Sequence, residues 1–283
     1  MNNINNFLGM QREFENAEYI ILPFPYEFTT TFGKGTGKGP KKIIEVSPNL
    51  EFYDEEIDED TYKRGIHTLK PIIAEEFKNE EDINKIKGQI ISYINSEKKL
   101  ITIGGEHSIS YPIVKGFSEA TKELGVIHFD AHTDLRDIYE NSKYNHACVM
   151  RRITELNLPV VSAGIRSTTK EELLYSKHKK NNLFFAQETY NDYRKITEAI
   201  NNLPEQVYIT LDVDVFSPEL IRATGTPEPG GYSWFYMLEI LNNIFKTKQV
   251  KGIDIVETCP DPIYEVSTFT IAKLIYKIIG YWK

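Results

Sequence analysis

The sequence of 283 residues has only two cysteines, Cys148 and Cys259, and no excess of positive charge. Two cysteines are too few for a disulfide framework, so we expect a protein of the reducing cytoplasm. Lys and Arg number 33 against 41 Asp and Glu, which gives a net charge of −8. Because binding nucleic acid needs a basic face, nucleic acid is not expected as a partner.

Long apolar runs are also lacking. No stretch approaches the length of a membrane-spanning helix, so no membrane partner is predicted. The amino-terminal segment has no basic region followed by an apolar one, so no signal peptide is expected. Neither a Ser/Pro-rich linker nor a repeat divides the chain, and we predict a single domain over residues 1–283.

Short apolar runs alternate with longer amphipathic stretches along the whole chain. This alternation predicts βαβ units and therefore an α/β fold, with an open, mostly parallel β-sheet sandwiched by helices. The predicted strands are Tyr19–Leu22, Leu100–Ile103, Val126–Phe129, Val160–Ala163, Leu183–Phe185, Val207–Leu211 and Val250–Val256. The predicted helices are Pro40–Val46, Glu80–Glu97, Ser108–Glu123, His146–Leu156, Thr168–His178, Asp192–Asn202, Trp234–Phe245 and Ser267–Ile279.

A glycine-rich loop, Phe32–Pro40, precedes the first predicted helix. Its glycines lack the spacing of a Walker phosphate loop, and the loop does not directly follow a strand. The pattern therefore favours a turn whose proline starts the helix over a phosphate cradle.

Acidic residues and histidines follow a predicted strand at steps of two. Since side chains alternate across a strand, His128, Asp130 and His132 share one face, and Asp134 follows on the loop. Ligands of open α/β sheets bind beyond the carboxyl ends of the strands, where Asp130, His132 and Asp134 stand. His128 lies further back inside the strand, and we expect it to be a hydrogen-bonded core residue.

Two further strands end in the same kind of residue. Asp212 and Asp214 point to one face at the end of one strand, and His107 emerges at a Gly-Gly turn after another. Imidazoles and carboxylates converging at one edge of a sheet repel or desolvate each other unless a cation is present.

These segments predict one metal site made of two imidazoles and four carboxylates. Its ligands would be His107, Asp130, His132, Asp134, Asp212 and Asp214. Six groups are too many for one tetrahedral zinc ion, and an oxygen-rich set suits manganese, with carboxylates able to bridge two ions. We therefore predict two Mn²⁺ per chain and a small cationic substrate.

The motifs that contain these residues resemble those of the ureohydrolase family, the binuclear manganese arginases and agmatinases. They are Ile103–Ser108, Phe129–Asp137, Leu211–Pro218, Gly225–Gly231 and Asp254–Glu257, and the resemblance covers nearly the whole chain. It implies an arginase/deacetylase-like sheet, hydrolysis of a guanidinium to urea and an amine, and assembly into homo-trimers or homo-hexamers.

The resemblance also implies roles for three individual residues. Glu257 corresponds to the family glutamate that pairs with the substrate guanidinium, and a capping or solvated carboxylate is the alternative. His146 corresponds to an active-site loop histidine proposed to relay protons, and a helix-start histidine is the alternative. For this relay we expect a histidine that is free of metal, lies at the cleft mouth and has the ordinary pKa of about 6.5. Asp134 would bind metal and also carry a proton to the leaving amine.

Among ureohydrolases, the motifs are most like those of agmatinases, which predicts hydrolysis of agmatine to putrescine and urea in polyamine biosynthesis. Glu106, the segment before His146 and the run Pro227–Trp234 carry this likeness. Guanidinobutyrase, guanidinopropionase and arginase are the alternatives. Departures from the family pattern stand at Ser217, Ala223 and Ala147. None is a predicted metal ligand, but all bear on loop shape and substrate fit.

Two other classes remain open. Zinc deacetylases share the fold but use a single metal and a pair of adjacent histidines, and no His-His pair occurs in this sequence. A non-catalytic binding relative would be expected to lose ligands, and none of the six is missing.

Overall fold

A sheet of eight parallel strands forms the centre of the fold. The structure, a computed structural model, describes residues 5–179, 181–190, 192–261, 263 and 265–283. Within these residues the strands are β1 (Tyr19–Phe24), β2 (Tyr53–Asp54), β3 (Glu59–Asp60), β4 (Ile66–Thr68), β5 (Lys99–Gly104), β6 (Leu124–Phe129), β7 (Val160–Ile165), β8 (Asn182–Phe185), β9 (Gln206–Asp212) and β10 (Gln249–Val256). The α-helices are α1 (Gly39–Val46), α2 (Glu80–Ile94), α3 (Ser110–Ala120), α4 (Val149–Glu155), α5 (Lys170–Lys179), α6 (Ala186–Thr189), α7 (Arg194–Asn201), α8 (Trp234–Thr247) and α9 (Val266–Tyr281).

The strands of the large sheet follow the order β4-β1-β5-β10-β9-β6-β7-β8, and all neighbours are parallel. The prediction of an open parallel sheet sandwiched by helices is therefore confirmed. Each of the seven predicted strands is present, with ends that differ by at most two residues. Residues 1–4, which begin the segment without a signal-peptide pattern, lie outside the described residues.

The sequence pattern misses the edge strand β4 and the antiparallel β2–β3 pair. These strands have only two or three residues, too few for an alternating pattern to show. The predicted helices are present, but four of them, α3, α4, α5 and α7, begin two or three residues later than predicted. Short 3₁₀ turns, His107–Ile109 and His146–Cys148, precede α3 and α4, so both histidines lie at strand-to-helix or loop-to-helix turns.

Two apolar clusters cover opposite faces of the sheet. Tyr19 and Ile21 of β1 belong to one cluster, whereas Ile20 and Leu22 belong to the other. Helices α1, α7, α8 and α9 contribute to the first cluster, and α2, α3 and α4 to the second. A sheet buried on both faces explains why the predicted strands read as short continuous apolar runs.

The four central strands of the sheet, β5, β10, β9 and β6, are immediate neighbours. Because they are parallel, their carboxyl ends lie at the same edge, and the predicted site residues follow them there. Across the part of the chain that the structure describes, no helix combines the length and apolarity needed to cross a membrane.

The turn after β5 depends on glycine. A Cβ at Gly105 would lie 1.9 Å from the carbonyl oxygen of Tyr26, and one at Gly104 would lie 2.5 Å from Cδ1 of Ile109. Only glycine allows this close approach. The pair therefore brings the chain sharply out of β5 so that the next residues, Glu106 and His107, are buried at the sheet edge.

The glycine-rich loop is a turn before α1, as the sequence pattern favours. Its backbone amides bind an internal carboxylate, since the N–H groups of Gly35 and Gly37 donate to Glu27 at 2.7 and 3.0 Å. These donors are thus occupied by the protein's own glutamate.

Candidate metal centre

His107 lies at the centre of a cluster of buried carboxylates. Its Nδ1 atom is 3.2 Å from Oδ2 of Asp130, 3.2 Å from Oδ2 of Asp134 and 3.4 Å from Oδ2 of Asp212. His107 follows β5, Asp130 and Asp134 follow β6, and Asp212 is the last residue of β9, so three strands contribute to this contact. Three oxygen atoms therefore converge on one ring nitrogen.

His132 forms the second half of the cluster. Its Nδ1 atom lies 2.9 Å from Oδ2 of Asp214 and 3.5 Å from Oδ1 of Asp130. Asp130 is fully buried and turns one carboxylate oxygen toward each imidazole. This is the arrangement expected of a carboxylate that bridges two cations. All six residues that the sequence predicts as ligands are brought together here.

His128 is hydrogen-bonded in the core, as expected from its place inside β6. Its Nε2 atom is 2.8 Å from Asp130 Oδ2, and its Nδ1 atom is 3.0 Å from Ser162 Oγ. With His107 and Asp130 it also forms a trio of possible donor atoms within 4.8 Å of one another. Both of its nitrogens already have partners, so its contacts are those of a residue that orients Asp130.

The charges of the cluster require compensation by cations. Burial, together with the charges of Asp214 and Asp130, raises the pKa of Asp212 well above its usual range. Burial and the charge of Asp130 raise the pKa of Asp134 to about 7. Carboxylates this close cannot all be ionised without positive charge beside them.

The donor atoms fit divalent ions. Nδ1 of His107 is buried, and no atom of the described residues is placed to form a hydrogen bond with it. Two ions would balance four carboxylates, and this set of imidazole nitrogen and carboxylate oxygen suits manganese. The residues present therefore fit a metal centre.

Both imidazoles turn Nδ1 inward and Nε2 outward. Nε2 of His107 is 2.9 Å from Oγ1 of Thr210, and Nε2 of His132 is 3.6 Å from Oε1 of Glu228. Metal-binding histidines usually have such a partner on the other nitrogen, which fixes the orientation of the ring. Sequence reasoning did not identify Thr210 or Glu228. Thr210 could have been found, since it stands two residues before Asp212 on the same face of β9.

Glu257 lies directly behind His107. Its Oε1 atom accepts the main-chain N–H of His107 at 2.8 Å, and its own N–H donates to Gly105 at 2.7 Å. Its Oε2 atom faces Gly225, where a Cβ would lie only 2.9 Å away. Burial, followed by the charge of Glu106, raises the pKa of Glu257 well above its usual range. The carboxylate is thus buried and not solvated, and it accepts the first main-chain N–H of the turn His107–Ile109 that leads into α3.

Asp134 and Glu257 both have left-handed backbones, with φ of 49° and 65°. This conformation is uncommon for residues other than glycine and often occurs at functional sites, where the surrounding contacts maintain it. Two of the residues with proposed catalytic roles therefore share an unusual local geometry.

His146 is more buried than the sequence suggested. Its main-chain N–H donates to Oγ1 of Thr29 at 3.0 Å, and its buried Nε2 atom has no hydrogen-bond partner among the described residues. Burial, reinforced by the positive charges of His107 and His132, lowers the pKa of His146 to about 4. The expectation of an ordinary pKa is wrong, because it considered the loop without the packing around it.

A cavity of about 250 Å³ opens beside the cluster. Among its lining residues are His132, Asp134, Asp212, His146, Thr31 and Arg136. The cavity joins predicted metal ligands to the predicted loop histidine. It offers a place for a small molecule against the metal centre.

Arg166 is a residue of the site region that sequence reasoning missed. Its guanidinium donates to the carbonyl oxygens of Asp214 at 2.6 Å, Glu228 at 3.1 Å and Pro229 at 2.9 Å. It thereby fixes the loop Gly225–Gly231 against the end of β9. No local sequence pattern predicts this role, because the three carbonyl groups are distant from Arg166 in the sequence.

The chain matches the arginase family over residues 17–280. It is 38% identical over 277 residues to the N(1)-aminopropylagmatine ureohydrolase of Synechocystis sp., covering 95% of this chain and 90% of that protein. It is 36% identical over 271 residues to the agmatinase of Pyrococcus horikoshii, covering 95% of this chain and 93% of that protein.

The fold is similar to the solved structure of the agmatine ureohydrolase of Thermoplasma volcanium. The TM-score is 0.87 at 29% identity, and the match covers 96% of this chain and 92% of the other. These matches cover nearly the whole chain, and they include the cluster of imidazoles and carboxylates at the carboxyl edge of the sheet. The chain therefore belongs to the arginase family and is an enzyme of the agmatinase-like ureohydrolase type.

Proposed function

We propose that this enzyme binds two Mn²⁺ ions and hydrolyses the guanidinium group of agmatine to putrescine and urea. The observation that carries the proposal is the placement of two imidazole Nδ1 atoms among four carboxylates, with Asp130 turned toward both. A single tetrahedral zinc ion would leave several of these donors unused. Bound manganese would supply a water molecule whose pKa is lowered toward neutrality, as the nucleophile.

The reaction balances without another reactant. The guanidinium cation and one water molecule become urea and a protonated amine, as the bond between the guanidinium carbon and the substituted nitrogen breaks. The leaving nitrogen needs a proton. Asp134 lines the cavity beside His107, which supports the proposal that it carries this proton.

Glu257 is proposed to anchor the guanidinium by its charge. Its carboxylate is buried between His107 and Gly225, at the side of the cluster formed by the β5 and β10 ends. A buried carboxylate paired with a cation forms a strong, charge-assisted hydrogen bond. His146, which lines the cavity, is proposed to contact the substrate there.

The state of His146 favours a hydrogen-bond acceptor over an acid. With a pKa of about 4, its imidazole is neutral at physiological pH. Its Nε2 atom, which has no partner in the part of the chain that the structure describes, can then accept a hydrogen bond from a guanidinium N–H group. The proton relay predicted from the resemblance is kept as the competing role for this residue.

A second substrate has a specific observation in its favour. The relative from Synechocystis sp., 38% identical to this chain, is an N(1)-aminopropylagmatine ureohydrolase. This substrate would carry the same guanidinium with a longer cationic tail. Both substrates agree with the net charge of −8 and with the acidic cluster.

The family resemblance further supports assembly into a homo-trimer or homo-hexamer, and the composition supports a cytoplasmic location. Both are proposals, as is a role in polyamine biosynthesis. Size-exclusion chromatography with light scattering would give the subunit number. A monomer at micromolar concentration would contradict the proposed assembly.

Urea release across a panel of substrates tests the proposed function. The panel contains agmatine, N(1)-aminopropylagmatine, arginine, guanidinobutyrate and guanidinopropionate, each with manganese and with a chelator. We expect the highest kcat/KM for one of the two cationic substrates and no urea with the chelator. Preference for a guanidino acid would contradict the proposed substrate, and absence of urea from every compound would contradict the proposed reaction.

A further inference from the structure

A chain of buried hydrogen bonds runs away from the metal centre behind His107. Nε2 of His107 lies 2.9 Å from Oγ1 of Thr210, and Thr210 donates to Oδ1 of Asp254 at 2.7 Å. Tyr208 donates to Oδ2 of the same carboxylate at 2.8 Å. All four residues are fully buried. Thr210 contacts His107 directly, and Asp254 and Tyr208 continue the chain. None of these three residues is a predicted ligand or is among the residues that line the cavity.

The sheet register builds this chain. Thr210 on β9 is paired directly with Asp254 on β10, and Tyr208 stands two residues before Thr210 on the same face. His107 reaches the pair from the neighbouring turn after β5. The contact therefore depends on three adjacent strands and is not a local feature of any one motif.

The donors and acceptors of the chain can be assigned. A carboxylate only accepts hydrogen bonds, so Tyr208 and Thr210 must donate to Asp254. Thr210 has one hydroxyl hydrogen, and its 2.7 Å contact with Asp254 uses it. Its oxygen then accepts from His107, so Nε2 of His107 carries the hydrogen. Ser110, 3.1 Å from the Thr210 hydroxyl, adds a further hydroxyl near the carboxylate.

This assignment determines what His107 offers to the cluster. With Nε2 engaged as a donor, Nδ1 is the nitrogen left to bind a cation, and it is the one that faces Asp130, Asp134 and Asp212. Rotating the ring by a half turn would break the bond to Thr210 inside the protein. An unsatisfied buried polar group is costly, so the ring is held in one orientation.

We propose that Thr210 and Asp254 are positioning residues that fix the orientation and the tautomer of His107 for metal binding. The proposal rests on the proposed metal function and adds two residues that do not touch the ion. It also explains why a carboxylate is buried at position 254. Among the described residues, the side chains that donate to Asp254 are hydroxyl groups, and one of them, Thr210, connects it to His107.

A matched pair of substitutions tests this role. Thr210→Val removes the hydroxyl and keeps the shape of the side chain. Thr102→Val is the control, because Thr102 is equally buried, is paired with Asp254 from the other side on β5, and has no hydrogen-bond partner for its hydroxyl among the described residues. Both variants place the same new side chain beside the same carboxylate.

The readout is manganese binding, measured by equilibrium dialysis and by electron paramagnetic resonance of the free ion. Loss of a partner of a metal-binding histidine typically weakens metal binding about 10–100-fold, and we expect a loss in this range for at least one ion in Thr210→Val. Thr102→Val should bind manganese like the wild-type chain. Thr210→Ser, which keeps the hydroxyl, should bind at least as well as any other substitution at this position.

Asp254→Asn provides a second route if Thr210→Val folds poorly. An amide cannot accept from both Thr210 and Tyr208 through its two ends, so this variant should also weaken manganese binding. Wild-type affinity in Thr210→Val or Asp254→Asn would overturn the positioning role, as would an equal loss in Thr102→Val. If the positioning role fails but the wild-type enzyme binds two ions and releases urea, the proposed function still holds. If the wild-type enzyme binds no manganese, both the positioning role and the proposed function are overturned.

Discussion

The main-chain N–H of His107 donates to the Glu257 carboxylate at 2.8 Å, which joins a proposed metal ligand directly to the proposed guanidinium anchor. The two residues are 150 positions apart and meet because β5 and β10 are neighbours in the sheet. Substitutions at position 257 are therefore expected to have two separable effects, one on substrate and one on the metal.

Glu257→Gln should reduce kcat/KM at least about tenfold while metal content changes little. The amide oxygen can still accept from His107, but the charge that pairs with the guanidinium is lost. Glu257→Ala removes both interactions and should also lower manganese content. Steady-state kinetics and metal analysis of both variants check this. Equal metal loss in the two variants, or wild-type kinetics for Glu257→Gln, would remove the residue from its proposed role.

Asp212→Ala should lose manganese and urea release together. The substitution deletes a carboxylate that lies 3.4 Å from His107 and leaves the remaining charges of the cluster unbalanced. Asp137→Ala is the control, since Asp137 belongs to the same motif as Asp134 but is exposed and pairs with Arg152 at 2.6 Å. Full activity of Asp212→Ala without added manganese would show that the cluster does not hold the ions.

Manganese binding should become tighter as pH rises from about 6 to 8. In the metal-free enzyme, burial and the charge of Asp130 raise the pKa of Asp134 to about 7, so below that pH an incoming ion must displace the proton. Each displaced proton makes the affinity change roughly tenfold per pH unit, and the number released should fall by one above about pH 7. Calorimetry in buffers of different ionisation enthalpy counts these protons. An affinity that does not vary with pH would contradict the assignment of Asp134 as a ligand.

His146→Asn should keep both metal ions and reduce turnover about 10²-fold. If His146 acts as a neutral acceptor, added imidazole should not restore the activity, and the pH profile should show no step from this residue near pH 6.5, because its pKa is lowered to about 4. Rescue by imidazole would favour the proton relay instead. Wild-type turnover in His146→Asn would contradict both roles and return the residue to a structural one at the start of its 3₁₀ turn.

The sequence predicts the six proposed ligands because each stands at or just after the carboxyl end of a recognisable strand. Asp130, His132 and Asp134 illustrate this, since their spacing of two residues shows on the chain before any tertiary contact is known. The order of the strands is not visible in the same way. It decides which segments meet, and it became known only from the structure.

Contacts across the sheet could not be predicted from local patterns. Thr210 meets Asp254 only through the register of β9 and β10. The main-chain N–H of His146 likewise donates to Thr29, which is 117 positions away. The pKa of a side chain follows its packing, and packing against distant segments leaves no periodic signal in the sequence.

A titration of the metal-free enzyme with Mn²⁺, with metal content and urea release from agmatine followed together, tests the central proposal most directly. We expect two ions per chain and urea release that depends on them, and that is lost again when a chelator removes the metal. Saturation at one ion per chain with full activity, or urea release from the metal-free enzyme, would contradict a binuclear centre built on His107, His132 and the four aspartates.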